Sequence, residues 1–216
     1  MYAVAFAQLQ VSPALVNVTP VGRSWGAAGG SLALLDLRET ASLVIPAPAG
    51  ELRLGWPLAR RVDLSLRYST VAFVTHDIGG RLRYHLVGGA SWALAASVEA
   101  AVALVPWLPW GAFFFGEAHV RAAISGGFQV SSSGVMHAEV GVSGRMLEVS
   151  VTDQGAFHDA RPTLRTAAVQ CGYSWGGRSE RRYQILAGVA FDPLDVLPAG
   201  LATVHLSVGF EVVWLR

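Results

Sequence analysis

The feature that most constrains this chain is a period of two in its hydrophobic residues, kept up in segment after segment. In a strand successive side chains point to opposite faces, so alternation of apolar and polar residues marks a sheet with one dry and one wet side. From Ala202 to Trp214 the even positions Ala202, Val204, Leu206, Val208, Phe210, Val212 and Trp214 are all apolar, against Thr203, His205, Ser207, Gly209 and Glu211. From Ala112 to Ile124 the even set is apolar or small, while the odd set includes Glu117, His119 and Arg121. Glu51–Trp56 and Arg61–Tyr68 alternate fully, with Arg53, Asp63 and Arg67 on the polar side, and Pro57-Leu58-Ala59-Arg60 between them reads as a tight turn.

Leu82, Tyr84 and Leu86 face away from Arg81, Arg83 and His85, and Trp92–Leu104 carries Ser97 and Glu99 on its polar face. Met136, Ala138, Val140 and Val142 oppose His137 and Glu139; after Gly144 the alternation resumes in the opposite phase with Leu147, Val149 and Val151, which reads as a short hairpin. Ala3–Val11, Ser31–Leu37, Leu164–Tyr173 and Tyr183–Phe191 bring the expectation to about 10–12 antiparallel strands in one domain over residues 1–216. The connections are expected at Pro46–Gly50, Asp77–Gly80, Ser131–Gly134, Gly176-Gly177 and Asp192–Pro198, where turn residues gather, and the loop between the Glu117 and His137 rows is put at Ser125–Gly134. Gly79–Leu104 reads either as one very long strand or as a hairpin turning at Gly88-Gly89.

Composition narrows what solvent this sheet can meet. Hydrophobic residues make up 52% and charged ones 14%, against about 25% charged in soluble domains. Such a surface is poorly matched to water. Yet no run approaches the roughly 20 apolar residues of a membrane helix; the longest candidate, Ala100–Phe115, is broken by Pro106, Pro109 and Gly111. All sixteen basic residues are arginine and the net charge is +1, which leaves no basic field for nucleic acid. Cys171 is the one cysteine, so an intramolecular disulfide and a thiolate metal cluster are both excluded. Met1 is followed directly by Tyr2-Ala3-Val4 with no basic leader, and an exported chain is therefore expected to be represented in its mature form.

A soluble barrel would show the same period with its apolar set inward. Two features favour the inverted arrangement. The polar face is padded with Gly, Ala, Ser and Thr between charges of both signs, which suits a crowded lumen in which Arg and Glu pair. Trp56, Trp107, Trp110, Trp175 and Trp214 stand beside turns or termini, as expected of aromatic girdles at two membrane interfaces.

The last strand, Ser207-Val208-Gly209-Phe210-Glu211-Val212-Val213-Trp214, resembles the C-terminal assembly signal of bacterial outer-membrane β-barrel proteins: a polar residue, a glycine, an apolar residue and a terminal aromatic. This chain departs from the pattern by continuing through Leu215-Arg216. The resemblance implies an all-β transmembrane antiparallel up-and-down barrel in the bacterial outer membrane. Its partners would be the lipid bilayer, the barrel-assembly machinery during insertion, and other envelope proteins. The physics agrees, because hydrocarbon offers no partner to backbone N–H and C=O, and only a closed sheet can cross it.

The residues expected to line the lumen are Arg53, Asp63, Arg67, Glu99, Glu117, His119, Arg121, His137 and Glu139. His205, Ser207 and Glu211 are weak catalytic candidates: a His-x-Ser pair with a Glu resembles outer-membrane lipid A deacylases, although no asparagine follows the serine. Same-face residues two apart on a strand start about 7 Å apart, so a hydrogen-bond ladder beside the seam is the favoured reading. Glu117 and His119 beside His137 and Glu139 would gather two imidazoles and two carboxylates, but no His-x-x-His or Asp-rich motif supports a metal. No cofactor is expected. Arg60-Arg61 and Arg181-Arg182 read as turn and interface anchors.

The expected function is therefore non-enzymatic, a small channel or a scaffold component of an envelope complex. The alternatives are a membrane-embedded lipid hydrolase using His205 and Ser207, and a soluble barrel holding an apolar ligand. Dependence on detergent separates the soluble reading from the other two.

Overall fold

The structure, a computed structural model, describes residues 23–36, 44–71, 75–89, 91–108, 111–152, 155–176, 181–191 and 204–215. The segment Ala3–Val11, read above as a strand, and the connection Asp192–Pro198 lie outside the described residues. Eleven strands follow one another: β1 (Trp25–Asp36), β2 (Val44–Ala59), β3 (Val62–Val71), β4 (Thr75–Gly88), β5 (Trp92–Leu108), β6 (Gly111–Gln129), β7 (Gly134–Thr152), β8 (Gly155–Asp159), β9 (Thr163–Trp175), β10 (Arg181–Phe191) and β11 (Val204–Leu215). Every pairing between them is antiparallel. β8 and β9 pair in succession with the two halves of β7 and so act as one strand. The ring closes when β1 pairs with β11, Trp25 opposite Leu215 through Ala33 opposite Ser207. The result is a closed up-and-down barrel of ten strands.

Register partners show how the sheet closes. Stepping from Gly88 through Ala93, Gly127, His137, Gly172, Leu186, Gly209, Ser31, Ala49 and Val71 returns to β4 at Thr75, thirteen positions from the start. Such a stagger accompanies a strand tilt of roughly 40° in a barrel of this size. β3, with 10 residues, has the length of about 9–11 residues that a tilted strand needs to cross hydrocarbon. β5, β6 and β7, with 17, 19 and 19 residues, are far longer, so the wall they form outruns β3.

The alternation is inside-out relative to a soluble barrel. On β4, Asp77, Arg81, Arg83 and His85 are buried inside, while Ile78 (58% exposed), Leu82 and Tyr84 face outward. The same holds on β3, where Asp63, Ser65 and Arg67 are buried and Leu66 and Tyr68 exposed, and on β7, where Glu139 is 1% and Val140 56% exposed. At the end of the barrel where β1 begins and β11 ends, the outer surface carries Trp56, Tyr84, Trp92, Trp175 and Tyr183. Tyr173, Trp175 and Tyr183 stack there in a row at 6.1 and 6.2 Å between ring centroids. Toward the other end Tyr68 donates to or accepts from His76 Nδ1 at 2.8 Å, next in level to exposed Phe114. Aliphatic side chains such as Val98, Val102, Ile124 and Ile185 fill the band between. Trp107 and Trp110, also expected in a girdle, lie outside the described side chains.

Several expected connections prove to be strand. Pro46–Gly50 lies within β2 and Asp77–Gly80 within β4. Pro46 and Pro48 pair with Leu34 and Leu32 of β1, and among the described residues the β2–β3 pairing runs from Ala49 to Ala59. Pro106 on β5 pairs with Phe114 of β6. Gly79 is required by packing: a Cβ there would lie 2.7 Å from Ala101 Cβ. The turn expected at Pro57–Arg60 sits at Arg60-Arg61, after a bulge at Leu58. β6 continues to Gln129, so the loop expected from Ser125 shrinks to residues 130–133. The phase change after Gly144 is not a hairpin. β7 runs straight through it, and Met146 is an extra residue against β6, as Arg165 is on β9 against β7. A bulge shifts the phase of a strand by one without turning it, which is why Met146 and Leu147 both face outward. The alternative left open for Gly79–Leu104 resolves as a hairpin, β4–β5, with the Gly89 N–H donating to the Trp92 carbonyl at 2.8 Å.

Candidate functional site

The barrel interior has two unlike walls. From β2 to β7 it carries many charged side chains; from β9 through β10 and β11 to β1 the described inward residues are mostly small or apolar, among them Ala168, Gly172, Leu186, Gly188, Ala190 and Val213, with Gln170, Gln184 and Arg182 among the polar ones. Where the two walls adjoin, on the neighbouring strands β7 and β9, a long side chain lies on a small one. His137 shows this at close range, since a Cβ on Gly172 would meet its Nε2 at 2.5 Å and the backbone O of Ile185 at 2.6 Å.

Arg67 pairs with Asp77 at 2.6 Å and with Glu99 at 2.7 Å, so one guanidinium bridges β4 and β5. Arg83 holds Asp63 at 2.6 Å, and His85 Nε2 meets the same carboxylate oxygen at 2.7 Å. Glu139 collects the guanidiniums of Arg81 and Arg121, the latter at 2.8 Å, and the amide of Gln170 at 3.2 Å. Arg81 also donates to Ser97 at 2.7 Å. Arg53 pairs with Glu51 at 3.1 Å, and His119 lies 3.4 Å from Asp77. Arg145, near the far mouth, joins Glu148 and Asp159, the latter at 3.0 Å. Charges buried at this depth are tolerable only when paired and hydrogen-bonded. Opposite signs therefore interleave along the whole wall.

Of the nine residues expected in the lumen, Arg53, Asp63, Arg67, Glu99, His137 and Glu139 are buried inside, and Glu117, His119 and Arg121 are half-buried on the inward side of β6. The two rows on β6 and β7 are offset: Glu117 faces Glu148 and His119 faces Arg145, whereas His137 and Glu139 face Gly127 and Ser125. Only Arg121 and Glu139 bring the rows together, so the imidazole–carboxylate gathering weighed above does not form. Among the described residues no group of three His, Cys, Asp or Glu is placed to hold a metal ion. Asp77 was not anticipated, because Gly79-Gly80 beside it mimics a turn. Glu51, Gln170 and Gln184 were missed as well; the period marks Glu51 as inward, but nothing local marks either glutamine. In β11, His205 pairs with Ala190, Ser207 with Ala33 and Gly188, and Glu211 with Gly29 and Gln184; the side chains of these three lie outside the described residues.

At the end of the lumen where β1 begins, Trp25 is 5% exposed and its indole lies on Gly55 where no Cβ would fit. Behind it is a cavity of about 10 Å³ lined by Trp25, Arg53, Asp63, Ser65, Arg81 and Arg83, room for a single water-sized body.

No protein-family model matches the sequence, and no curated protein matches it. Solved structures do. An outer-membrane channel from Pseudomonas putida F1, 11% identical, superposes over 96% of this chain and 100% of its own with a TM-score of 0.61. The fold is that of outer-membrane barrels. The NanC porin (7% identical, 88% of this chain and 98% of its own, TM-score 0.48) and the N-terminal barrel domain of Pseudomonas aeruginosa OprF (12%, 90% and 98%, 0.39) share too little of the arrangement to add to that conclusion.

Proposed function

We propose that this chain is an integral barrel of the bacterial outer membrane, a single domain over residues 1–216, that serves as a narrow channel with an ion-paired lumen. The carrying observation is the interior itself: Arg67 between Asp77 and Glu99, and Glu139 between Arg81 and Arg121, span the space a solute would cross. The P. putida structure, named as a channel and matched over its whole length, supports this reading over a purely structural one. The nine lumen residues would line the path, with the bridged arginines setting its width. Insertion would depend on the assembly machinery reading the Ser207–Trp214 strand.

Reconstitution into a planar bilayer tests the function. Wild-type protein should give small unitary steps, and Glu139→Gln, which loosens two arginines at once, should enlarge them or raise open probability. Protein inserted in the bilayer that never conducts, in either form, would leave the scaffold role as the account of this barrel.

A further inference from the structure

We propose that the turn between β2 and β3 is a binding site for the headgroup of an anionic phospholipid. Arg60 and Arg61 are adjacent in that turn, both are exposed, and among the described residues no carboxylate pairs with either. The Arg61 carbonyl accepts from the His85 N–H at 2.8 Å, which ties the turn to the end of β4. Beside the turn the outer face is apolar: Trp56, Leu58 (59% exposed), Tyr84, Leu86 and Val87 are all exposed. Register brings them together, since Ala59 faces Val62 and Val62 faces Tyr84. Bulges at Leu58 on β2 and at Leu86 on β4 add to this face, the second turning both Leu86 and Val87 outward.

Two guanidiniums at the edge of an apolar face match a phosphate above its acyl chains. The depth agrees. Trp56 and Tyr84 belong to the aromatic belt of this end, and such side chains sit at headgroup level. Trp56 faces Leu64, and Arg61 lies three residues beyond Leu64, roughly 8 Å further from the midplane at a strand tilt of about 40°. A zwitterionic headgroup would bring its own ammonium to the guanidiniums, whereas phosphatidylglycerol presents negative charge alone. The leaflet follows from the connections. Short turns face the periplasm in outer-membrane barrels, and this end turns over residues 60–61 and 130–133, against the long connection from Phe191 to Val204 at the other. The occupant is therefore an inner-leaflet phospholipid and not lipid A. The site rests on the proposed membrane placement, and not on whether the barrel conducts.

The test is native mass spectrometry of the full chain in detergent, with phosphatidylglycerol and phosphatidylcholine added in equal amounts. Wild-type protein should retain phosphatidylglycerol several-fold over phosphatidylcholine. Replacing both turn residues, Arg60→Gln with Arg61→Gln, should bring the two lipids close to parity, while Arg60→Lys with Arg61→Lys, which keeps the charge, should preserve most of the preference. Arg161→Gln removes an equally exposed arginine from the opposite end and should leave the preference as it is. Equal retention of the two lipids by wild-type protein, or a preference that survives the double glutamine variant, would overturn the proposal while the barrel stays in the membrane. A chain that is soluble without detergent and retains neither lipid would overturn the membrane placement and the site together.

Discussion

The β2–β7 wall and the β9–β1 wall enclose the same lumen and solve it in opposite ways. On the first, Arg53, Arg67, Arg81 and Arg83 are buried among carboxylates; on the second, Gly172, Gly188, Ala190 and Ala27 are small residues on the inward side. A ten-stranded barrel encloses an interior wider than that of an eight-stranded one, which side chains just fill. Large-against-small packing closes the space, and pairing neutralises it. The tightness of the fit makes each wall intolerant of the other's residue type.

The largest effect should come from the charged wall. Glu139→Leu strands the Arg81 and Arg121 guanidiniums in the interior, at a cost of about 3–5 kcal/mol, read by urea unfolding in lipid vesicles. A loss under about 1 kcal/mol would mean that water reaches these groups freely and the lumen is open.

Next in size is a change on the outer face shared by both walls. Val98, 54% exposed between Ser97 and Glu99, should on substitution by arginine lose about 2–4 kcal/mol if it sits near the bilayer midplane. Measured in lipid by the same unfolding assay, near-neutral behaviour would place this surface in water.

The small wall should answer to volume alone. Gly172→Ala pushes a methyl group against His137 and the Ile185 carbonyl, an overpacking worth roughly 1–3 kcal/mol. Pairing it with His137→Ala should recover part of the loss, and a strictly additive double variant would show that the two walls do not press on each other.

The two walls also differed in how readily they could be read. Glu51–Trp56 and Arg61–Tyr68 announce face and phase because each inward position is charged, serine or glycine and each outward one apolar. On β10 the inward residues Leu186, Gly188 and Ala190 are as apolar as their outward neighbours Ile185 and Val189, so the period reveals a strand but not its wet side. Bulges hid in the same way: at Met146 the phase slips, and sequence alone cannot tell a slip from a turn. Asp77-Ile78-Gly79-Gly80 has turn composition, yet Gly79 is there to let Ala101 approach. The partners were beyond reach altogether. Arg81 and Glu139 lie 58 residues apart, and their meeting depends on the stagger of ten strands, which no local pattern encodes.

The central claim is that the polar face is inside and the apolar face in lipid. Single nitroxide labels along β5 at residues 97–102, in protein reconstituted in vesicles, test it most directly through collision with oxygen, which concentrates in hydrocarbon. Val98, Ala100 and Val102 should show high oxygen accessibility and Ser97, Glu99 and Ala101 low, a strict period of two with the apolar set in lipid. Uniform accessibility along the strand, or maxima at the odd positions, would contradict the account.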